Sequence, residues 1–350
     1  MDISGELVQN HILIKKPGDI GRLYNKSHMG TPVSGNLLQL DLLEGVFLLD
    51  EEKMRLYHQS KPVDFQHLVM LAAQQVPDFE TKYMVFKDLR NRGHAITLCT
   101  DEKPVTFQQF RQKNQAEPFC GIAAFSERDI LDIDATKKMI SQMKKKNDVL
   151  WFALVDEEGD LTYYNVSAID LKGDVPEQDY PNGSGILLKN RLIVFDTKLA
   201  NQLLEKEFFG KPFGKVLQLS FVEALYLYKR GILEIKTSNN ASLSEKQITQ
   251  HMQKFQPDIE QRLVVFQDLK QRGLLVKTGF KFGAHFRAYT KHPDATHAEY
   301  LIHVVEKGFT SIWAETSRAV RLAHSVNKEF VFARVDGKTV DYIKFGRLRP

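Results

Sequence analysis

The sequence has little of what would settle its class at once. Only two cysteines, Cys99 and Cys120, occur in 350 residues. They are too few for a disulfide framework and lack the paired spacing of a zinc site, which leaves reduced structural thiols. No uninterrupted apolar run approaches the roughly 20 residues needed to cross a bilayer. The opening segment, "MDISGELVQNHILIKKPGD", lacks the apolar core of a signal peptide. A cytoplasmic location, away from membranes, is therefore expected. An excess of one charge is missing too: 48 basic against 44 acidic residues give +4, so any polyanion site must come from local clustering. What remains is an ordinary globular composition, 43% hydrophobic, at a length that suits two or more domains.

The chain repeats itself. "MVFKDLRNRG" from Met84 matches "VVFQDLKQRG" from Val264 at six of ten places, and "WFALVD" from Trp151 matches "VFARVD" from Val331 at four of six. Both pairs lie 180 residues apart. Gly5, Leu7 and Asn10 recur as Gly185, Leu187 and Asn190, and "GTPVSGNLLQL" recurs one residue shorter as "GKPFGKVLQL". A period this long signifies a duplicated domain rather than a solenoid. The expected division is a front subdomain at 1–80 and a rear subdomain at 81–172, then a linker at 173–184, "GDVPEQDYPNGS". A second front subdomain at 185–256 and a second rear subdomain at 257–350 follow.

Within each half the periodicity changes. The front carries helical spacing, as in Leu40, Leu43, Phe47 and in Leu219, Val222, Leu225. Next comes a helix entered near Pro77 or Pro257 and stopped by Gly93 or Gly273. Alternation then takes over: in "HAEYLIHVV", Ala298, Tyr300, Ile302 and Val304 share one face and His297, Glu299, Leu301 and His303 the other. "TSRAVRLAHSVNK" returns to helical spacing with Ala319, Leu322 and Val326 inward, before the strands "EFVFARVD" and "VDYIKF". Each half reads as an α/β unit, mixed α+β, with a helix-rich front piece and a mixed-sheet rear piece.

Duplication supplies an internal control, because a residue needed only for folding tends to persist in both copies. At an offset of 180, Lys328 faces Asp148, Tyr289 faces Gln109 and His297 faces Glu117. The second copy thus owns a Tyr, a His and a Lys that the first lacks. Each has an ordinary structural role: packing at a strand end, a satisfied sheet histidine, a lysine complementing a helix dipole. Their surroundings lift them, since Lys281 and Arg287 precede Tyr289 and the later helix adds Arg318 and Arg321, cations suited to hold phosphates.

With "KTGFKFGAHFRAY" at 277–289, "HAEY" at 297–300 and "SRAVRLAHSVNK" at 317–328, the chain resembles the tRNA-splicing endonuclease family of archaea. The resemblance covers both halves. It implies a structural first repeat, a catalytic second repeat whose rear piece is restriction-endonuclease-like, and a homodimer. It implies Tyr289 as base, His297 as acid and Lys328 as electrostatic stabiliser, with no cofactor and no metal. The implied substrate is precursor tRNA folded as a bulge-helix-bulge, attacked by its own 2′-hydroxyl to leave a 2′,3′-cyclic phosphate and a 5′-hydroxyl. Arg321 matches the family position that clamps a bulged base, with Lys344 and Arg347 as candidate partners. The acidic turn holding Asp156, Glu157, Glu158 and Asp160 is ordinarily a solvated hairpin end. By the same resemblance it docks into a basic cleft of a partner's catalytic repeat.

Two other readings stand beside this one. A duplicated chain can become a tRNA-binding scaffold without activity. A metal-dependent nuclease of restriction type would need paired carboxylates with a following lysine, and Asp294 and Glu299 lack that lysine. A zinc cluster of His292, His297 and His303 does not match familiar ligand spacing.

Overall fold

The computed structural model describes residues 3–99, 105–110, 119–144, 149–292 and 297–350. Glu117, Asp148 and Asp294, which entered the sequence comparison, lie outside the described residues. Each front piece carries a mixed sheet beside its helices. In the first repeat the order is Thr31–Val33, Leu37–Leu40, His11–Ile14, Ile3–Val8, Met54–His58 and Lys61–Val63. In the second, Lys211–Phe213, Val216–Leu219, Leu192–Val194, Gly183–Leu187 and Leu233–Lys236 reproduce the first five places.

Leu40 and Leu219, expected to open a helical stripe, instead close strands. Asp41 and Ser220 cap the helices Leu42–Asp50 and Phe221–Lys229, each in a reciprocal capping box with the glutamate three places on, and this fixes where the helix starts. Pro77 and Pro257 precede the helices Phe79–Asn91 and Ile259–Gln271, and Gly93 and Gly273 leave them at φ 89° and 77°. That left-handed conformation is one glycine adopts without penalty.

The rear pieces merge into one ten-stranded sheet. Its order is Leu275–Thr278, Phe286–Tyr289, Tyr300–Glu306, Glu329–Asp336, Thr339–Leu348, then Leu161–Ala168, Val149–Val155, Cys120–Ser126, Phe107–Phe110 and Ala95–Leu98. The second five are the counterparts of the first five in reverse. A pseudo-dyad therefore runs between the two central strands, which pair antiparallel with Asn165 opposite Gly346 and Val166 opposite Phe345. A short ladder with Leu131 opposite Ser311 also joins the repeats.

Both faces of the sheet are covered. On one, helix Ile259–Gln271 packs Phe266 with Phe286, Ala288, Ile302 and Val331. On the other, Trp313, Val320 and Ala323 of helix Trp313–Ser325 meet Leu301, Phe330, Phe332 and Phe345 together with Phe152 and Tyr164 of the first repeat. Trp313 is fully buried and sets the phase of its helix. Residues three, seven and ten places on, Thr316, Val320 and Ala323, are buried with it, whereas Leu322, expected inward, is 40% exposed. Ala319 and Val326 sit at the margin of this core.

The segment joining the repeats is irregular but tied down. Asp170 pairs with Arg272 at 2.7 Å and Leu171 is buried in the core of the second repeat. Glu177 pairs with Arg230 at 3.1 Å, and the Tyr180 hydroxyl donates to Glu207 at 2.6 Å.

Candidate active site

Sheet register brings the three candidate residues to one end of adjacent strands. Tyr289 ends strand Phe286–Tyr289, and the preceding Ala288 lies opposite Tyr300. His297 stands three residues before that Tyr300. Tyr300 pairs in parallel with Glu329, and Lys328 directly precedes Glu329. Backbone hydrogen bonds close the corner: Glu299 N–H donates to Ala288 O at 3.1 Å and Glu329 N–H to Glu299 O at 2.9 Å. A period of two adds the face. Ala288 and Val331 enter the core under helix Ile259–Gln271, and Phe330 enters the core under Trp313. Tyr289 and Lys328 therefore belong to the Trp313 side of the sheet.

Tyr289 is 8% exposed and packs with Leu275 and Ala298. The Arg287 guanidinium lies 5.8 Å from its ring centre, within the range of a cation–π contact. Arg287 thus places a cation beside the phenol ring. Lys328 emerges from helix Trp313–Ser325 through Asn327, whose φ of 53° is a left-handed conformation that asparagine tolerates. Its Nζ donates to Val326 O at 3.3 Å and sits 5.7 Å over the Phe282 ring. His297 is exposed.

Register also corrects one pairing between the repeats. Leu275 lies opposite Tyr289 and its counterpart Ala95 lies opposite Phe110, so Tyr289 corresponds to Phe110 and not to Gln109. The first repeat keeps a ring at this place and lacks the hydroxyl.

The candidate cations separate into groups. Lys281 and Arg287 line a cleft of about 500 Å³ between the front and rear pieces, with Arg191, Lys211 and Lys277. Arg287 Nε is buried there without a hydrogen-bond partner among the described residues. Arg318 lines a different cavity, of about 280 Å³, whose walls include Phe282, His303, Phe309, Phe330 and Phe332. Arg321 lies on the flank of the same helix nearer Tyr164: burial pushes the Tyr164 phenol up, opposed by its hydrogen bond with Ser317 and the charges of Arg321 and Arg347. Arg321 follows one helical turn after Ser317, which hydrogen-bonds the Tyr164 hydroxyl at 2.8 Å, and Arg347 lies opposite Tyr164 in the ladder. Lys344 alternates to the other face of its strand and pairs with Glu329 at 3.1 Å.

The rings of His303 and His285 lie against each other, tilted by 34°, with centres 4.3 Å apart. Burial, then the His303 charge, push His285 down to about 3, and burial also holds His303 low. His285 Nδ1 accepts the Val304 N–H at 2.8 Å, as a neutral ring does. His292 lies edge-on to Phe208 at 4.6 Å. Among the described residues no group of three His, Cys, Asp or Glu is placed to hold a metal ion, and no helix is long and apolar enough to cross a membrane. In the acidic turn, the Asp156 carboxylate accepts the Glu158 and Asp160 N–H groups at 3.0 and 2.9 Å, and Glu157 pairs with Arg128 at 2.9 Å. All four acidic side chains are exposed.

Comparison with known proteins matches both front pieces and the rear piece of the second repeat. The model for the tRNA intron endonuclease N-terminal domain matches twice, at residues 3–69 and 183–249, and that for the catalytic C-terminal domain matches at 259–342. The chain belongs to the tRNA intron endonuclease family and is an RNA-cleaving enzyme that acts in tRNA splicing. It is similar to the tRNA-splicing endonuclease of Methanococcoides burtonii, 34% identical over 98% of this chain and 99% of the relative. The enzyme of Methanosarcina mazei is 30% identical over 94% of each chain, and that of Halobacterium salinarum 27% identical over 94% and 95%.

Proposed function

We propose that the chain cuts precursor tRNA at bulge-helix-bulge junctions without a metal, in the cytoplasm and as a homodimer. What supports this reading is sheet register, which carries the backbone at Tyr289, at the segment after His297 and at Lys328 to one end of three neighbouring strands. RNA brings its own nucleophile, the 2′-hydroxyl beside the scissile phosphate. Holding it in line replaces a bimolecular attack with an intramolecular one. Tyr289 removes the 2′-hydroxyl proton, His297 protonates the departing 5′-oxygen, and the Lys328 ammonium steadies the charge that builds on the phosphorus centre. The products are a 2′,3′-cyclic phosphate and a 5′-hydroxyl, a lyase-type outcome. A bulged base splayed from the RNA stacks between planar guanidinium groups, and the place of Arg321 one turn after Ser317 and of Arg347 opposite Tyr164, with Lys344 paired to Glu329 on the other face, favours Arg347 over Lys344 as partner.

Charge complementarity supports the dimer. The cleft lined by Arg191, Lys211, Lys277, Lys281 and Arg287 suits the turn of Asp156, Glu157, Glu158 and Asp160 of a second copy. Such a contact chiefly sets register and partner choice. Lys281 and Arg287 then serve assembly, and Arg318 and Arg321 serve RNA. The deciding experiment is cleavage of a bulge-helix-bulge RNA in excess chelator by the native chain and by His297→Ala, with the ends of the products mapped. Cleavage persists in chelator, and His297→Ala lowers the rate far more than RNA binding. A rate restored only by added divalent cation overturns the mechanism, and no cleavage under any condition favours the inactive scaffold.

A further inference from the structure

We propose that the segment joining the repeats is part of the site: Gly173, Asp174 and Val175 form a strap that holds the corner after Tyr289 and so positions its phenol. The inference rests on the reading of Tyr289 as the base. Three consecutive backbone donors lace the strap to the second repeat. Gly173 N–H donates to Arg272 O at 2.9 Å, Asp174 N–H to Thr290 O at 2.8 Å and Val175 N–H to Gly273 O at 3.0 Å. The strap therefore bridges the turn that ends helix Ile259–Gln271 and the residue that follows Tyr289. Val175 also packs against the cluster of Leu275, Tyr289 and Ala298. The Thr290 hydroxyl donates to the Glu299 carboxylate, tying the same corner to the segment between His297 and the next strand.

Two glycines make the crossing possible. A Cβ on Gly173 would stand 2.3 Å from Gly273 O, and one on Gly273 would stand 2.5 Å from Gly173 O. No side chain fits at either place while the hydrogen bonds hold. The first repeat is the control: among the described residues, nothing lies within 4 Å of where a Cβ on Gly93, the counterpart of Gly273, would be. Both copies keep the glycine for its left-handed turn, and in the second copy the strap crosses it. A residue that ends a strand has neighbours on one side only. The strap supplies the missing side at Tyr289, where a misplacement of about 1 Å costs roughly 100-fold in rate. Val175 and Gly173 are positioning residues, since they act through Tyr289.

Single-turnover cleavage of a precursor tRNA at saturating enzyme, with the half-saturating concentration and melting temperature measured in parallel, tests this. Val175→Gly is expected to lower the saturated rate about 10- to 100-fold, with half-saturation and melting temperature little changed. Val175→Ile restores the rate, and Gly173→Ala, which pushes the strap off Gly273, loses at least as much as Val175→Gly. Should Gly173→Ala fail to fold, Val175→Gly, which adds no clash, decides alone. The strap is refuted if Val175→Gly keeps its saturated rate while Tyr289→Phe abolishes cleavage, or if its loss lies in melting temperature and half-saturation. Full activity of Tyr289→Phe instead overturns the reading of the site itself.

Discussion

The two repeats solve one packing problem with opposite electrostatics. In the first, Glu44 is buried in its capping box and accepts the Gly30 N–H at 2.8 Å. Burial, then the neighbouring Asp41 charge, push it up to about 8, and burial raises Asp41 to about 6. The nearest cation, Arg90, donates instead to Ser27 O. In the second, Glu223 occupies the matching place and accepts the Gly210 N–H at 2.9 Å. Burial would raise it too, but the Lys277 ammonium, the Ser220 hydroxyl and two backbone N–H groups outweigh burial and hold it below its ordinary value. Lys277 reaches Glu223 at 3.3 Å and also donates to the carbonyls of Phe208 and Gly210. Its counterpart in the first repeat is Thr97. The second copy thus ties its front piece to its rear piece with a buried charge pair, whereas in the first copy the matching acid accepts from Gly30 and Asp41 of its own front piece and burial favours its protonated form.

The comparison can be broken most strongly at the phenol. Tyr289→Phe gives the second repeat the ring that the first already has at Phe110, and is expected to lower cleavage about 100- to 10,000-fold while RNA binding is kept. A single-turnover assay beside a binding assay reads both. Next in size is Lys277→Met, which leaves Glu223 buried without a counter-charge. Denaturant melts should register a loss of about 3–5 kcal/mol, and Glu223→Gln in the same chain should recover much of it.

A pH series then separates the copies. The folded first repeat keeps protons on Glu44 and Asp41 that the unfolded chain releases near its ordinary carboxylate values. Stability therefore falls as pH rises from about 5 towards 8, by at most about 1.4 kcal/mol per pH unit for each proton. Glu44→Gln flattens that slope. Glu223 has the opposite sign: its contribution is present above the ordinary glutamate value and is lost as pH falls below it. The smallest effect belongs to the exposed Glu157–Arg128 pair, where Glu157→Gln leaves the melting temperature of the chain unchanged and reports only on assembly.

Duplication was legible because four blocks kept their order at nearly one spacing, and the helix from Ile259 was legible from its proline and glycine punctuation. The proposed catalytic set came only from motif resemblance; spacing alone left Tyr289, His297 and Lys328 with ordinary roles. Their shared sheet end depends on a parallel pairing of Tyr300 with Glu329, which no local pattern announces. The counterpart of Tyr289 was misread by one place, since the loop between the two matched strands is one residue longer in the first repeat and a period of two turns that slip into the opposite face. Leu322 was misread because Trp313 sets the phase from a position before the quoted helical stretch. The strap left no signal: its hydrogen bonds join backbone groups far apart in the chain, which carry no side-chain pattern, and Val175 is a single apolar residue in an irregular segment.

The antiparallel seam of Leu161–Ala168 with Thr339–Leu348 has a consequence for how such a chain can be divided. Either half expressed alone would bare a long apolar border holding Tyr164 and Val166, or Ile343 and Phe345, with its amide and carbonyl groups unmet. The most economical cover for that border is another copy of itself. Fusion converts this self-association into an internal event that no dilution can reverse, leaving one copy free to drift away from chemistry while its edge is still required.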